Sequence, residues 1–215
     1  MSTATEALRY LGIREPDREW TEKAEAMLAF LREKCPPRFH WRLFPLARGE
    51  NSLMLDGGPA LSGGMAEKML RDCTHAAVLV CTLGTAFDRL LSTEQARDMA
   101  RAALMDACAS ALVEEGCDAA ERDMKAHLPG RCLTDRFSPG YGDLPLTLQI
   151  ALLTAADASR RLGVQVTSSC LLTPMKSVTA LIGVADTPQP ARVRGCAFCA
   201  LRGKCDFQRP CASGM

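Results

Sequence analysis

AAVLVCTLG, Ala76 to Gly84, is a compact valine-rich run without a charge. A strand covered on one face alternates apolar with polar residues, whereas a strand covered on both faces is apolar throughout. This stretch is therefore predicted to be a buried strand. SVTALIGVA (Ser177 to Ala185) and VQVTSS (Val164 to Ser169) read as further strands, joined by a turn around Pro174. FHWRLFPL (Phe39 to Leu46) alternates, with Phe39, Trp41 and Leu43 on one face, and Asn51 to Leu55 offers a short extended piece before the turn DGGP.

Helical signals lie between these strands. EALRYLG opens the chain. Pro16-Asp17 starts a second helix in which Trp20, Ala24, Met27, Leu28 and Leu31 recur at helical spacing, ended by Pro36-Pro37, and Ser62 to Leu70 makes a third. Ser92 and Gln95 form a capping-box pattern expected to head a long helix reaching His127, with Gly116 expected to bend or interrupt it. Asp143 followed by Pro145 reads as the cap of a helix running to Leu162 and stopped at Gly163. Helices and strands are intermixed without regular alternation, which favours an α+β fold over a doubly wound sheet.

The chain has 215 residues, 47% hydrophobic and 24% charged, enough to bury a real core. Its net charge of +1 gives no basic field for a polyanion, so neither nucleic acid nor a membrane surface is expected as a partner. No apolar run approaches the roughly 18 residues of a membrane span. The N-terminal stretch lacks the layout of a signal peptide, and a cytoplasmic protein is expected.

RFSPGYGDLP, Arg136 to Pro145, is the densest cluster of conformationally special residues. Arg136 offers a planar cation suited to a carboxylate or phosphate. Pro139-Gly140 allows a type II turn with a bare backbone, and Tyr141 adds a ring able to cover a flat or cationic group. These features suit a zwitterionic, partly aromatic small molecule; equally, they suit a rigid turn whose arginine pairs with a neighbouring acid.

RFSPGYGDLPLTLQ, continued to LGVQVTSSCLLTPMKSVTALIGVAD, resembles the activation (reactivation) domain of vitamin B12-dependent methionine synthase, which binds S-adenosylmethionine. The shared order is Arg136, Ser138, Pro139-Gly140-Tyr141, a helix after Pro145, the triplet region Val166 to Ser169, Pro174, and Ser177-Val178. ALMDACASALVEEGCDAAE resembles the family's long helix with a ligand-facing glutamate, Glu114, or Glu115 in the alternative register. AAVLVCTLGTAFDRLL resembles its stand-alone members. The chain departs at Ser168, where the family has glutamate, and at Leu181-Ile182, where it has a tyrosine. It also lacks a cobalamin-ligating Asp-x-His-x-x-Gly motif.

The resemblance implies a mainly antiparallel sheet with helices around it over residues 1–185. It implies S-adenosylmethionine held by Glu114, Arg136, Ser138, Gly140 and Tyr141, with cobalamin reached only through a separate methionine synthase or related corrinoid methyltransferase. The implied role is reductive methylation of that cobalamin after its oxidation, with an electron donor as a further partner and no catalytic residue of the chain's own. The alternative is an accessory, redox or metal-binding partner that no longer binds the ligand.

Residues 186–215 change in composition to a proline-rich linker and a cysteine tail. GCAFCALRGKCDFQRPC places Cys196, Cys199, Cys205 and Cys211 in a C-x2-C-x5-C-x5-C pattern, four soft ligands expected to hold zinc or a [4Fe-4S] cluster. The other seven cysteines lie mostly in apolar segments, where a thiol behaves as a small hydrophobe.

Overall fold

The computed structural model describes residues 2–49 and 52–190. In chain order the elements are α1 (Thr3–Tyr10), α2 (Arg18–Lys34), β1 (Arg38–Gly49), β2 (Ser52–Leu55), β3 (Ala60–Leu61), α3 (Gly64–Leu70), β4 (His75–Thr82), α4 (Gly84–Gln95), α5 (Met99–His127), β5 (Cys132–Leu133), α6 (Leu148–Ala155), α7 (Ala158–Leu162), β6 (Gln165–Val166), β7 (Leu172–Thr173) and β8 (Ser177–Ala185). The fold is α+β. Its antiparallel pairs build a six-stranded sheet in the order β3-β2-β1-β4-β8-β5, with β6 and β7 as a separate pair.

The uncharged run at Ala76 forms β4, a central strand in contact with both layers. β4 lies between β1 and β8 and buries every residue after His75. Its side chains alternate between two cores: Ala77, Leu79 and Cys81 pack toward α1, α2, α4 and α5, while Ala76, Val78 and Val80 pack toward α3, α6 and α7. Phe87, Leu112 and Met124 fill the first core, and Phe137, Leu152 and Met69 the second, all fully buried. Each such side chain contributes about 1.5–3 kcal/mol relative to exposure.

Local chemistry explains most element ends. Asp17 caps α2, its carboxylate accepting from the Trp20 N–H at 2.8 Å, and Cys35-Pro36-Pro37 closes the helix. Three expectations are corrected. The Ser92–Gln95 pattern ends α4 rather than starting the long helix: α4 buries Phe87 and Leu91 one turn apart and must run through it, so α5 starts after Asp98, whose side chain accepts from the Arg101 N–H at 3.0 Å. The helix expected from Asp143 to Leu162 begins at Leu148 and is broken at Asp157, which adopts φ +52°, although Gly163 does stop it. Gly116 does not interrupt α5, which is continuous from Met99 to His127. A Cβ there would come within 2.6 Å of the Pro37 Cβ and 2.7 Å of the Cys81 Sγ, so glycine lets the helix lie directly on β1 and β4.

Candidate functional site at the α5–β8 seam

Phe137 anchors the Arg136–Pro145 loop. Fully buried, it forms a two-way bridge with Leu181, its N–H donating at 3.0 Å and its carbonyl accepting at 2.8 Å. The bridge does not extend to β8 residues nearer Ser177, because Pro139, next in register on that side, has no N–H to donate. The chain turns instead. Tyr141 N–H donates to the Ser138 carbonyl at 3.0 Å with Gly140 at φ +92°, the type II geometry that glycine adopts without strain. The N–H of Gly140 and that of Leu144 close a second reversal, onto Leu144 and Tyr141 carbonyls at 2.8 and 3.0 Å.

Asp143 does not cap the helix that follows it. Its carboxylate reaches back to the head of α3, accepting from the N–H groups of Gly64 at 2.7 Å and Met65 at 2.8 Å. Those two hydrogen bonds hold its pKa below the ordinary aspartate value. The loop is thus fixed at both ends, by Phe137 on the sheet and Asp143 on α3, and it presents Tyr141 half exposed between them.

Residues 136 and 182 share a face by this register, the face of α5. Arg136 accordingly meets α5: Nη2 donates to Glu114 Oε2 at 2.5 Å, and Nη1 donates to Asp118 at 2.7 Å and to Glu121. The guanidinium side chain is 11% exposed, against 43% for Glu114. Burial opposes its charge, and the hydrogen bonds with Asp118 and Glu114 more than offset that, holding its pKa above the ordinary arginine value.

The structure therefore brings together Arg136 and Glu114, both expected to contact a ligand, and pairs them with each other. Ser138, Gly140 and Tyr141 form the turn that follows in the chain, from which the loop runs on to α3. Glu115, the alternative, points away from Arg136, pairing with Arg32 at 2.7 Å and accepting from Thr3 at 2.7 Å, so it ties α1 and α2 to α5.

Two further groups on this seam escaped the sequence reading. Lys176, just ahead of β8, donates to Asp106 at 3.0 Å and to Ser110 at 2.8 Å, on the α5 face that carries Glu114 one turn later. Asp106 and Glu114 are ~12 Å apart along the helix axis, so one charged face of α5 spans the seam. Tyr10 of α1 has its pKa raised, first by burial and then by the charges of Glu6 and Glu114. Only the i, i+4 spacing of Asp106, Ser110, Glu114 and Asp118 hinted at this in the sequence.

Among the described residues, no group of three His, Cys, Asp or Glu side chains is arranged to hold a metal ion. Cys196, Cys199, Cys205 and Cys211 lie outside the described residues. Nor is any described helix long and apolar enough to cross a membrane.

No protein-family model matches the sequence, and no curated protein matches it. The structure is similar to one titled "Crystal Structure of the MetH Reactivation Domain bound to AdoHcy", with a TM-score of 0.62 and 18% sequence identity over 86% of this chain and 72% of that one. At that identity the likeness is one of fold. Helices packed on both faces of a mainly antiparallel six-stranded sheet thus give this chain a fold like that of the MetH reactivation domain.

Proposed function

We propose that this chain binds S-adenosylmethionine along the α5–β8 seam and supports reductive methylation of the cobalamin of a separate methionine synthase or related corrinoid methyltransferase. The observation that supports the reading is the pairing of Arg136 with Glu114 directly ahead of the Ser138–Tyr141 turn, in a fold whose solved counterpart is titled as bound to AdoHcy. S-adenosylmethionine supplies the methyl group, which leaves a neutral thioether behind, and one electron comes from a separate donor. The residues named here bind and orient.

In this reading the half-exposed Glu114 carboxylate faces the ligand's ammonium, held in place by its hydrogen bond to Arg136. The ligand carboxylate competes with Asp118 and Glu121 for the same guanidinium. Gly140 lets the ligand approach bare backbone, Ser138 lines the turn, and the Tyr141 ring covers the sulfonium, a favourable cation–π arrangement. The reaction needs placement rather than proton transfer, and placement is what these residues supply.

Calorimetric titration with S-adenosylmethionine tests the reading. Binding by the wild type, weakened at least about tenfold in Arg136→Ala and in Glu114→Gln, is expected. No heat at about 1 mM ligand hands the site to the second reading, an accessory partner of a corrinoid protein that has lost the ligand. The engagement of both Arg136 terminal nitrogens by α5 carboxylates favours that alternative.

The tail belongs to the same proposal. Cys196, Cys199, Cys205 and Cys211 would hold zinc as a structural knob or a [4Fe-4S] cluster as a source of the activating electron. Anaerobic purification with absorption and electron paramagnetic resonance spectra separates these; a colourless protein with stoichiometric zinc removes the electron-delivery role.

A further inference from the structure

The outer edge of β1 from Phe39 to Leu43 has no backbone partner among the described residues. β4 takes the other edge from Arg38 to Pro45, and β2 joins β1 only from Leu46 onward. Alternation in an antiparallel ladder fixes which groups point outward. Leu181 turns its N–H and C=O to Phe137, so Ala180 and Ile182 bond to β4 at Leu79 and Ala77. Val78 and Val80 then bond to Arg42 and His40, leaving the N–H and C=O groups of Phe39, Trp41 and Leu43 directed outward. The next residue in that series, Pro45, fits this phase, for its carbonyl accepts from the Asp56 N–H on the outer side at 2.9 Å.

The side chains flanking this edge differ sharply between faces. On the α7 side stand Arg38, His40 and Arg42, joined by Arg160 and Arg161 from α7. Arg38 and Arg42 donate to backbone carbonyls, Leu162 O at 3.2 Å and Ala155 O at 3.1 Å, rather than to acids. Asp157 stands on this face, paired with Arg160 and 3.9 Å from Arg161. Arg38, Arg42, Arg160 and Arg161 thus put four guanidinium groups beside it, in a chain whose net charge is only +1. Burial and the charge of Arg161 push His40 below its ordinary pKa, so the arginines carry the field.

The α5 side of the same edge is apolar and aromatic: Phe39, Trp41 and Leu43 are half buried. The Trp41 indole N–H donates to Asp123 at 2.7 Å, and its ring stands edge-on to His127 at 6.1 Å.

We propose that the β1 edge receives an extended segment of another protein in which acidic residues alternate with apolar ones, added to the sheet as a further strand. Residues opposite each other in a ladder share a face, so acids would lie against Arg38, His40 and Arg42, and apolar side chains against Phe39, Trp41 and Leu43. A second copy of this chain is disfavoured, since pairing edge to edge would bring two sets of arginines together. A nucleic acid strand matches the charge but offers no strand-spaced N–H and C=O groups. The inference does not depend on the proposed function, whose site lies two strands away across the sheet.

Fluorescence anisotropy with the full chain tests it, using a short labelled peptide that alternates glutamate with valine. Saturable binding is expected, weakened about tenfold or more by Arg38→Glu with Arg42→Glu, and lost when the peptide's edge-facing amides are N-methylated. The N-methylated arm leaves the protein unaltered and so decides the matter even if the charge-reversed variant fails to fold. Absence of binding, equal binding of the N-methylated peptide, or preference for a single-stranded oligonucleotide of equal charge overturns the proposal.

Discussion

Removing the guanidinium of Arg136 leaves Glu114, Asp118 and Glu121 facing one another without the cation that separates their charges. Breaking a fully buried pair costs about 3–5 kcal/mol. Here Glu114 and Asp118 are nearly half exposed and partly screened by water, so Arg136→Gln is expected to cost about 2 kcal/mol, read as a fall in the urea midpoint. Adding Glu121→Gln, the least exposed of the three acids, should recover part of that loss; a double variant less stable than Arg136→Gln would contradict the account. The loop half of this site was legible in the sequence, because proline and glycine fix backbone angles locally and Pro139-Gly140 can make few other turns. Its charge partners were not. Which glutamate of Glu114-Glu115 faces the loop depends on the rotation of α5, ~100° per residue, and that is set by tertiary packing rather than by neighbours in sequence. Asp143 misled for a related reason: an acid near a proline signals a helix cap, but the N–H groups it satisfies belong to α3, nearly eighty residues earlier.

α5 is the element against which this seam is built, and Gly116 sets how close it lies to the sheet. In an exposed helix, alanine would gain ~1 kcal/mol over glycine. At this position the new Cβ meets the Pro37 ring at 2.6 Å and the buried Cys81 thiol at 2.7 Å, and neither is the far end of a flexible chain. Overpacking of this kind costs about 1–3 kcal/mol, so the clash wins, and Gly116→Ala should lower the thermal midpoint while keeping far-ultraviolet dichroism native. A midpoint equal to or above the wild type would show that α5 has room to lift from β4. The existence and order of the helices and strands were legible from periodicity, most clearly at β4 and β8, where continuous apolar runs leave little choice. Boundaries were less so. The Ser92–Gln95 signal competed with the burial of Phe87 and Leu91 and lost, because burying two large side chains outweighs a cap worth ~1 kcal/mol.

At the scale of the whole molecule the two cores are not separate units, because β4 and β8 send alternate side chains into both. Val78 and Val80 pack on the α6 side and Leu79 and Cys81 on the α5 side of one strand, so neither core can open without exposing the back of the other. A chain above ~150 residues often unfolds through intermediates, but this shared wall predicts a single cooperative transition. The two tryptophans give a one-sided probe, since Trp20 sits on α2 and Trp41 packs against the core that α1, α2 and α5 enclose. Leu112→Ala in that core and Leu152→Ala in the opposite one each remove a fully buried side chain, at an expected cost of about 2–5 kcal/mol. Both are expected to shift the tryptophan-fluorescence midpoint and the dichroism midpoint together. If Leu152→Ala moved the dichroism transition while leaving fluorescence unchanged, the α3–α6–α7 layer would be melting alone, and with it would go the anchorage of the Arg136 loop through Asp143 on α3.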